Sequence, residues 1–214
     1  MSAGIATKMS WASNRVTTFP DDMAYCLLGI FGISMDIRYG EGKNAFLRLE
    51  QELIKETMDE SIFAWRYLGL PKCKHSETHG LLATWPCCFG DSANLTDQNS
   101  KKYKPRVSGT AYQWTKGGVE FHIPDVIGES GSGLTNNALN RRFRRSYKLA
   151  LNCWNTRRYG DDTVVIALEK QNGQWRRVRC NEWIFTSSVR SSTSFNGSKA
   201  SAIHIPQFVS GELR

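Results

Sequence analysis

The chain has no long hydrophobic run. Its longest, residues 23–32, is about ten residues, where a membrane-crossing helix needs roughly twenty. Residues 1–9 carry one lysine and no sustained apolar stretch, so a secretory leader is not expected. Catalytic signatures are missing as well. There is no Gly-x-Ser-x-Gly elbow, no His-Glu-x-x-His and no Gly-x4-Gly-Lys-Thr loop, which leaves nucleophilic, zinc-peptidase and phosphate-loop chemistry without a carrier. No internal repeat is visible. The six cysteines (Cys26, Cys73, Cys87, Cys88, Cys153, Cys180) follow no framework spacing. They read as free thiols of a reducing compartment, and the chain as a soluble cytoplasmic one.

What is present fits a folded protein. At 214 residues the chain is one ordinary domain or two small ones, and a chain of that size buries roughly 70% of its unfolded surface. Hydrophobic residues at 40% and charged residues at 22% exclude disordered, collagen-like and coiled-coil classes. Charge is divided unevenly. Residues 1–65 hold 6 Lys+Arg against 9 Asp+Glu, a net of −3, and residues 66–214 hold 22 against 11, a net of +11. That split predicts two pieces with different surfaces, 1–65 and 66–214.

The first piece reads as two to three helices. Residues 18–32 open on Thr18 with Asp21 three positions on, a capping-box-like start. They carry Pro20 in the first turn and end at Gly32, suited to a left-handed stop. Between them Met23, Ala24, Tyr25, Cys26, Leu27, Leu28, Ile30 and Phe31 are apolar on nearly every face, which predicts a buried helix. Residues 42–57 place Ala45, Phe46, Leu49, Leu53 and Ile54 at three- and four-residue steps, with Lys43, Arg48, Glu50, Gln51, Glu52 and Lys55 assigned to the opposite, solvated face. A shorter helix is expected over 5–12.

The second piece reads as strands. Residues 163–178 hold a hairpin around Asn172-Gly173, the strongest short turn signal. Residues 111–123 hold another around Lys116-Gly117-Gly118. Residues 147–154 alternate, and 183–185 and 203–205 add short strands. The fold class is therefore α+β: an N-terminal helical segment followed by a mostly antiparallel β domain, sandwich or barrel-like. Loops are expected over 98–108 and 128–140.

Candidate chemistry is sparse. Arg141-Arg142-Phe143-Arg144-Arg145 with Lys148 is the densest cationic cluster and fits a phosphate or a base, with a protein-facing or merely solvated rim as the preferred reading; Arg157-Arg158 and Arg176-Arg177-x-Arg179 add charge, but no RNA-module signature accompanies them. Glu41, between Gly40 and Gly42, is either a functional acid or a first-turn charge beside a helix start, and the structural reading is preferred. Cys73-x-His75-x3-His79 with Cys87-Cys88 looks superficially like a zinc site. Its one-residue and zero-residue gaps do not suit tetrahedral ligation, so no metal is assigned. Gly128-Glu129-Ser130-Gly131-Ser132-Gly133 has no strand leading into a helix beside it and reads as a flexible loop.

Residues 9–65 carry a recognisable pattern: Met9-Ser10-Trp11-Ala12, Arg15-Val16-Thr17-Thr18, Asp22-Met23-Ala24-Tyr25-Cys26-Leu27-Leu28-Gly29, Tyr39-Gly40-Glu41-Gly42 and Ala45-Phe46-Leu47-Arg48-Leu49. In that order they resemble the C-terminal end of the fungal heterokaryon incompatibility (HET) domain. Gly80-Leu81-Leu82-Ala83, residues 115–124 and Leu149-Ala150-Leu151-Asn152-Cys153 are similar to the β-rich region that follows it. The family's upstream blocks, a Ser-Tyr-x-Trp-Gly-type strand and a Trp-Ile-Asp…Cys-Ile-type strand, are not in this sequence, so the chain looks like the tail of such a protein without its α/β body.

The resemblance implies a part in self/non-self recognition, in which fusion of unlike hyphae triggers cell death, with a protein partner or self-association. The family's domain is likened to the Toll/interleukin-receptor fold, with nucleotide-directed activity in some members. Such a site would sit mainly on the upstream body, so no catalytic residue and no cofactor are carried over, and the segment is read as non-catalytic. Two rival readings stand beside it: a fragment completing a nucleotide-processing site in trans, and a nucleic-acid-binding module built on the Arg141–Lys148 cluster. The apolar helix is expected to need burial against the β domain or in an oligomer.

Overall fold

A computed structural model describes residues 3–69, 78–97, 111–115, 117–123, 147–156, 163–185 and 201–206. The order of elements is helices first and strands after, the α+β arrangement. Four α-helices come first: α1 (Ile5–Trp11), α2 (Asp22–Tyr25), α3 (Leu28–Phe31) and α4 (Lys43–Glu56). Two 3-10 turns follow, Glu60–Phe63 and Pro86–Phe89. Among the described residues the strands are β1 (Thr78–His79), β2 (Leu95–Asp97), β3 (Ala111–Thr115), β4 (Gly118–Ile123), β5 (Tyr147–Asn155), β6 (Thr163–Gln171), β7 (Gln174–Val178), β8 (Ile184–Phe185) and β9 (Ser201–Pro206). No helix among them is long and apolar enough to cross a membrane.

All strand pairings are antiparallel. Six strands form one sheet in the order β1-β7-β6-β5-β2, with β8 also on β6, and three form a second in the order β3-β4-β9. The β6–β7 hairpin turns at Asn172 (φ 50°) and Gly173 (φ 81°). Two successive left-handed residues are what a type I′ turn requires, and Asn-Gly supplies them with little strain. Residues 163–168 of β6 are all buried. Val164, Ile166 and Leu168 face the main core, whereas Val165 and Ala167 meet Val178 and Ile184 on the other face. This period of two on a strand covered on both sides marks β6 as the central strand of the sheet.

One continuous core joins helices and strands. It runs from Ile5, Met9 and Leu27 through Phe46, Leu49 and Trp65 to Val119, Phe121, Leu151, Ile166 and Ile205. Phe63 couples the helical part to the small sheet. Its ring lies edge-on to Tyr112 at 5.0 Å and to Phe121 at 5.2 Å between centroids, the geometry that aromatic quadrupoles favour.

Two expectations change in the helical part. The segment 18–32 is two one-turn helices. Its N-terminal junction carries no side-chain cap, and Thr17 Oγ1 donates instead to the Phe19 carbonyl. Gly32 does close the segment in the left-handed conformation, φ 68°. Nor is the segment enclosed on all sides. Met23, Ala24 and Leu27 are buried, but Tyr25, Cys26, Leu28, Ile30 and Phe31 are only half-buried. It therefore lies on the core as a cover. In α4 the expected face (Ala45, Phe46, Leu49, Leu53, Ile54) is buried, and Glu50 is buried with it, not on the solvated face. Position 50 is four residues after Phe46 and three before Leu53, so helical geometry points it inward whatever its charge.

Candidate functional site

Two of the blocks quoted above meet in space at the start of α4. The Tyr25 phenol donates to the Arg38 carbonyl at 2.5 Å and accepts from the Arg38 amide at 2.7 Å and from Arg48 at 3.3 Å. The buried Asp21 carboxylate accepts from the Gly42 amide at 2.9 Å, and the Tyr39 hydroxyl donates to Asp22 at 3.0 Å. Gly40 (φ 94°) and Gly42 (φ 57°) sit in backbone conformations that side chains resist, which lets the loop fold back onto α2 before α4 begins. Asp22 raises the Tyr39 hydroxyl above its ordinary value by hydrogen bond and by charge, so the phenol stays neutral.

Glu41 is part of this structure. Its carboxylate pairs with Arg48 at 2.9 Å to the terminal nitrogen and 3.1 Å to Nε, and both side chains are mostly covered. The pair ties the loop to the second turn of α4. Of the cationic cluster, Arg141, Arg142, Arg144 and Arg145 lie outside the described residues. Lys148 is on β5, where it pairs across to Ala167.

The zinc-like set does not assemble on what is described. Cys73 and His75 lie outside the described residues, Cys87 is disulfide-bonded, and Cys88 is a buried thiol outside any disulfide. The reading of all six cysteines as free thiols is thereby corrected at Cys87, whose oxidised state no sequence spacing signalled. Cys26, Cys88, Cys153 and Cys180 are not disulfide-bonded. Burial, and next the Glu50 carboxyl, push the Cys88 thiol up to about 11, which keeps it protonated and unreactive at neutral pH.

Sequence reasoning passed over the buried polar groups. Arg177 on β7 is buried and donates to the main-chain carbonyls of Phe63 and Trp65. Glu60 accepts from the Asn152 amide at 2.7 Å and from its side-chain nitrogen at 2.8 Å, at the point where the β5–β6 register shifts. Asp59 and Ser61 accept from the first amides of α1, Ile5 at 2.7 Å and Ala6 at 3.0 Å. Three consecutive polar residues thus cap one helix and satisfy the amide freed by a bulge. Glu50 has one acceptor contact, from the Ala83 amide at 3.2 Å, and its Oε2 has no partner. Burial holds its carboxyl well above the ordinary value. A helical-wheel count would have found Glu50, and strand alternation would have found Arg177, which sits opposite Leu168. Asp59, Glu60 and Arg177 thus serve a helix start, a bulge and two main-chain carbonyls.

Comparison with known proteins adds one observation. A stretch of 50 residues is 44% identical to the vegetative incompatibility protein HET-E-1 of Podospora anserina, covering 23% of this chain and 4% of that protein. This stretch is similar to a heterokaryon incompatibility protein. The chain spans a small fraction of that relative's length. No family model matches the chain, and no solved structure matches it.

Proposed function

We propose that this chain is a non-catalytic part of a fungal vegetative-incompatibility system, serving self/non-self recognition that leads to cell death in the cytoplasm. The observation that carries the reading is the 44% identity over 50 residues to HET-E-1. The geometry supports it in a second way. Asp21, Asp22 and Tyr25 on one side and Arg38, Tyr39 and Gly42 on the other form one hydrogen-bonded unit, which gives these short blocks a reason to occur together. Residues 1–65 serve as the signalling end and residues 66–214 as the β-rich unit packed on it. Several buried ionisable groups serve the fold itself: Asp59 caps α1, Glu60 fills the β5 bulge and Arg177 holds two main-chain carbonyls.

The test is expression of the full chain in a filamentous fungus, with and without an incompatibility protein of the HET-E-1 kind, scoring death of fused cells by vital-dye uptake. The expected result is a changed frequency of death on co-expression, lost in a Tyr25→Phe/Asp21→Ala variant. The purified chain should not consume nicotinamide nucleotides, alone or mixed with that partner. Unchanged death overturns the proposal, and nucleotide loss in the mixture overturns its non-catalytic part.

A further inference from the structure

We propose that the outward face of the small sheet binds a divalent transition-metal ion, zinc foremost, through Glu120 and His122 of β4 and His204 of β9. Strand geometry places the three together. Side chains alternate across a strand. On β4, Val119 and Phe121 are buried in the core, as is Ile205 on β9. Glu120, His122 and His204 therefore fall on the opposite face. The register aligns them further. Glu120 stands directly opposite His204, and His122 is one step along the same face, with alanines, Ala111 and Ala202, as its register partners on either side. Directly opposed residues are about 5 Å apart and diagonal ones about 7–8 Å. Donors spaced in this way can meet one ion at about 2 Å from each.

The side chains of Glu120 and His204 suit the task. The Glu120 carboxylate accepts from the Gln113 side-chain amide at 3.2 Å through Oε2, which steadies it above the sheet and leaves Oε1 to a metal. None of the ion pairs among the described residues engages it. His204 is exposed. Its Nε2 lies over Gly118, 2.8 Å from where a Cβ would sit, so the ring rests on ground that only glycine leaves open. Among the described residues no three ligands already stand at metal distance. The ion draws His204 across from Gly118 toward Glu120, a rotamer change open to an exposed side chain. The donor set selects the metal. Two imidazoles and a carboxylate, with a fourth position left for water, are ligands zinc accepts, whereas calcium and magnesium call for a shell of oxygens that one carboxylate does not supply. Among the described residues β9 ends the small sheet, so an ion held from both strands also clamps that edge onto β4.

Isothermal titration of zinc chloride into the chelator-treated full chain tests this. The wild type should take up zinc, and a large excess of magnesium should not displace it. Glu120→Gln, His122→Ala and His204→Ala should each weaken binding by at least about tenfold. All three positions face away from the core, and circular dichroism checks that each variant is folded. Cobalt(II), zinc's spectroscopic stand-in, separates this site from the cysteines. Bound here it should show visible d–d bands without the near-ultraviolet charge-transfer band that thiolate ligands produce. A wild type that takes up no zinc, cobalt bound with a thiolate band, or an affinity unchanged in any of the three variants overturns the proposal.

Discussion

The guanidinium of Arg177 lies against the Trp65 ring, 4.0 Å from its centre, while donating to the Trp65 carbonyl and, at 2.8 Å, to that of Phe63. One side chain from β7 thus satisfies two carbonyls of the segment that joins helices to strands. Arg177→Met keeps most of the volume and removes both donors, and it should destabilise by about 2–5 kcal/mol, the cost of losing two buried hydrogen bonds from a charged donor. Arg177→Lys should recover only part of that, because an ammonium cannot fork between two carbonyls and stack at once. Urea unfolding of the three proteins measures it. A loss below about 1 kcal/mol for the Met variant would mean that the carbonyls find other partners.

Glu50 makes stability depend on pH. Its carboxyl is buried, with one oxygen unpartnered, and burial lifts it well above its ordinary 4.5. The folded state therefore binds the proton more tightly than the unfolded chain. The resulting stabilisation is fully present below 4.5 and is lost as pH rises through the raised folded value. Glu50→Gln keeps an acceptor for the Ala83 amide and removes the ionisation. Above pH 7 the variant should be the more stable protein, and the gap should close toward pH 4. Urea midpoints collected across that range decide it; parallel curves would place the Glu50 charge in contact with water.

The sequence made the regular elements plain where local chemistry and periodicity agree. Asn172-Gly173 announced the β6–β7 hairpin, and the strands over 147–154 and 203–205 appear as β5 and β9. The helix of 42–57 appears as α4. What stayed hidden was set by partners distant along the chain. Asp21 reads as a helix-start charge but serves the Gly42 amide, 21 residues on. Glu60 carries no local signal at all, yet it accepts from the amide of a bulge 92 residues away. The apolar run 23–31 reads as a buried rod because composition reports how oily a segment is and not which of its faces is covered. At the candidate site, the blocks around Tyr25 and Tyr39 were legible as a pattern, whereas their mutual hydrogen bonds were not.

The thiols should sort by environment. Cys26 is half-buried, its sulfur hydrogen-bonded to the Met23 carbonyl at 3.4 Å. Cys88, Cys153 and Cys180 are buried, and burial raises both Cys88 and Cys180. Iodoacetamide at neutral pH should therefore label Cys26 first in the native protein. The three buried thiols should react only with denaturant, and Cys87 only after reduction as well. Peptide mass spectrometry reads the order. Early labelling of Cys88 would show that the segment over α4 opens readily.

The two hydrophobic residues that cover the core from 23–31 should respond unequally. Leu27 is fully buried and its neighbours are core residues, so Leu27→Ala leaves a cavity and should cost about 2–5 kcal/mol. Phe31 is half-buried, and one side of its ring meets the Lys8 ammonium, 5.6 Å from the centroid. Water already reaches part of that surface, so Phe31→Ala should cost only about 1–2 kcal/mol. Chemical denaturation of the two variants separates a covering helix from an enclosed one. Equal, large losses would mean that the outer face of this segment is also packed in solution, and self-association through that face would then have to account for the difference.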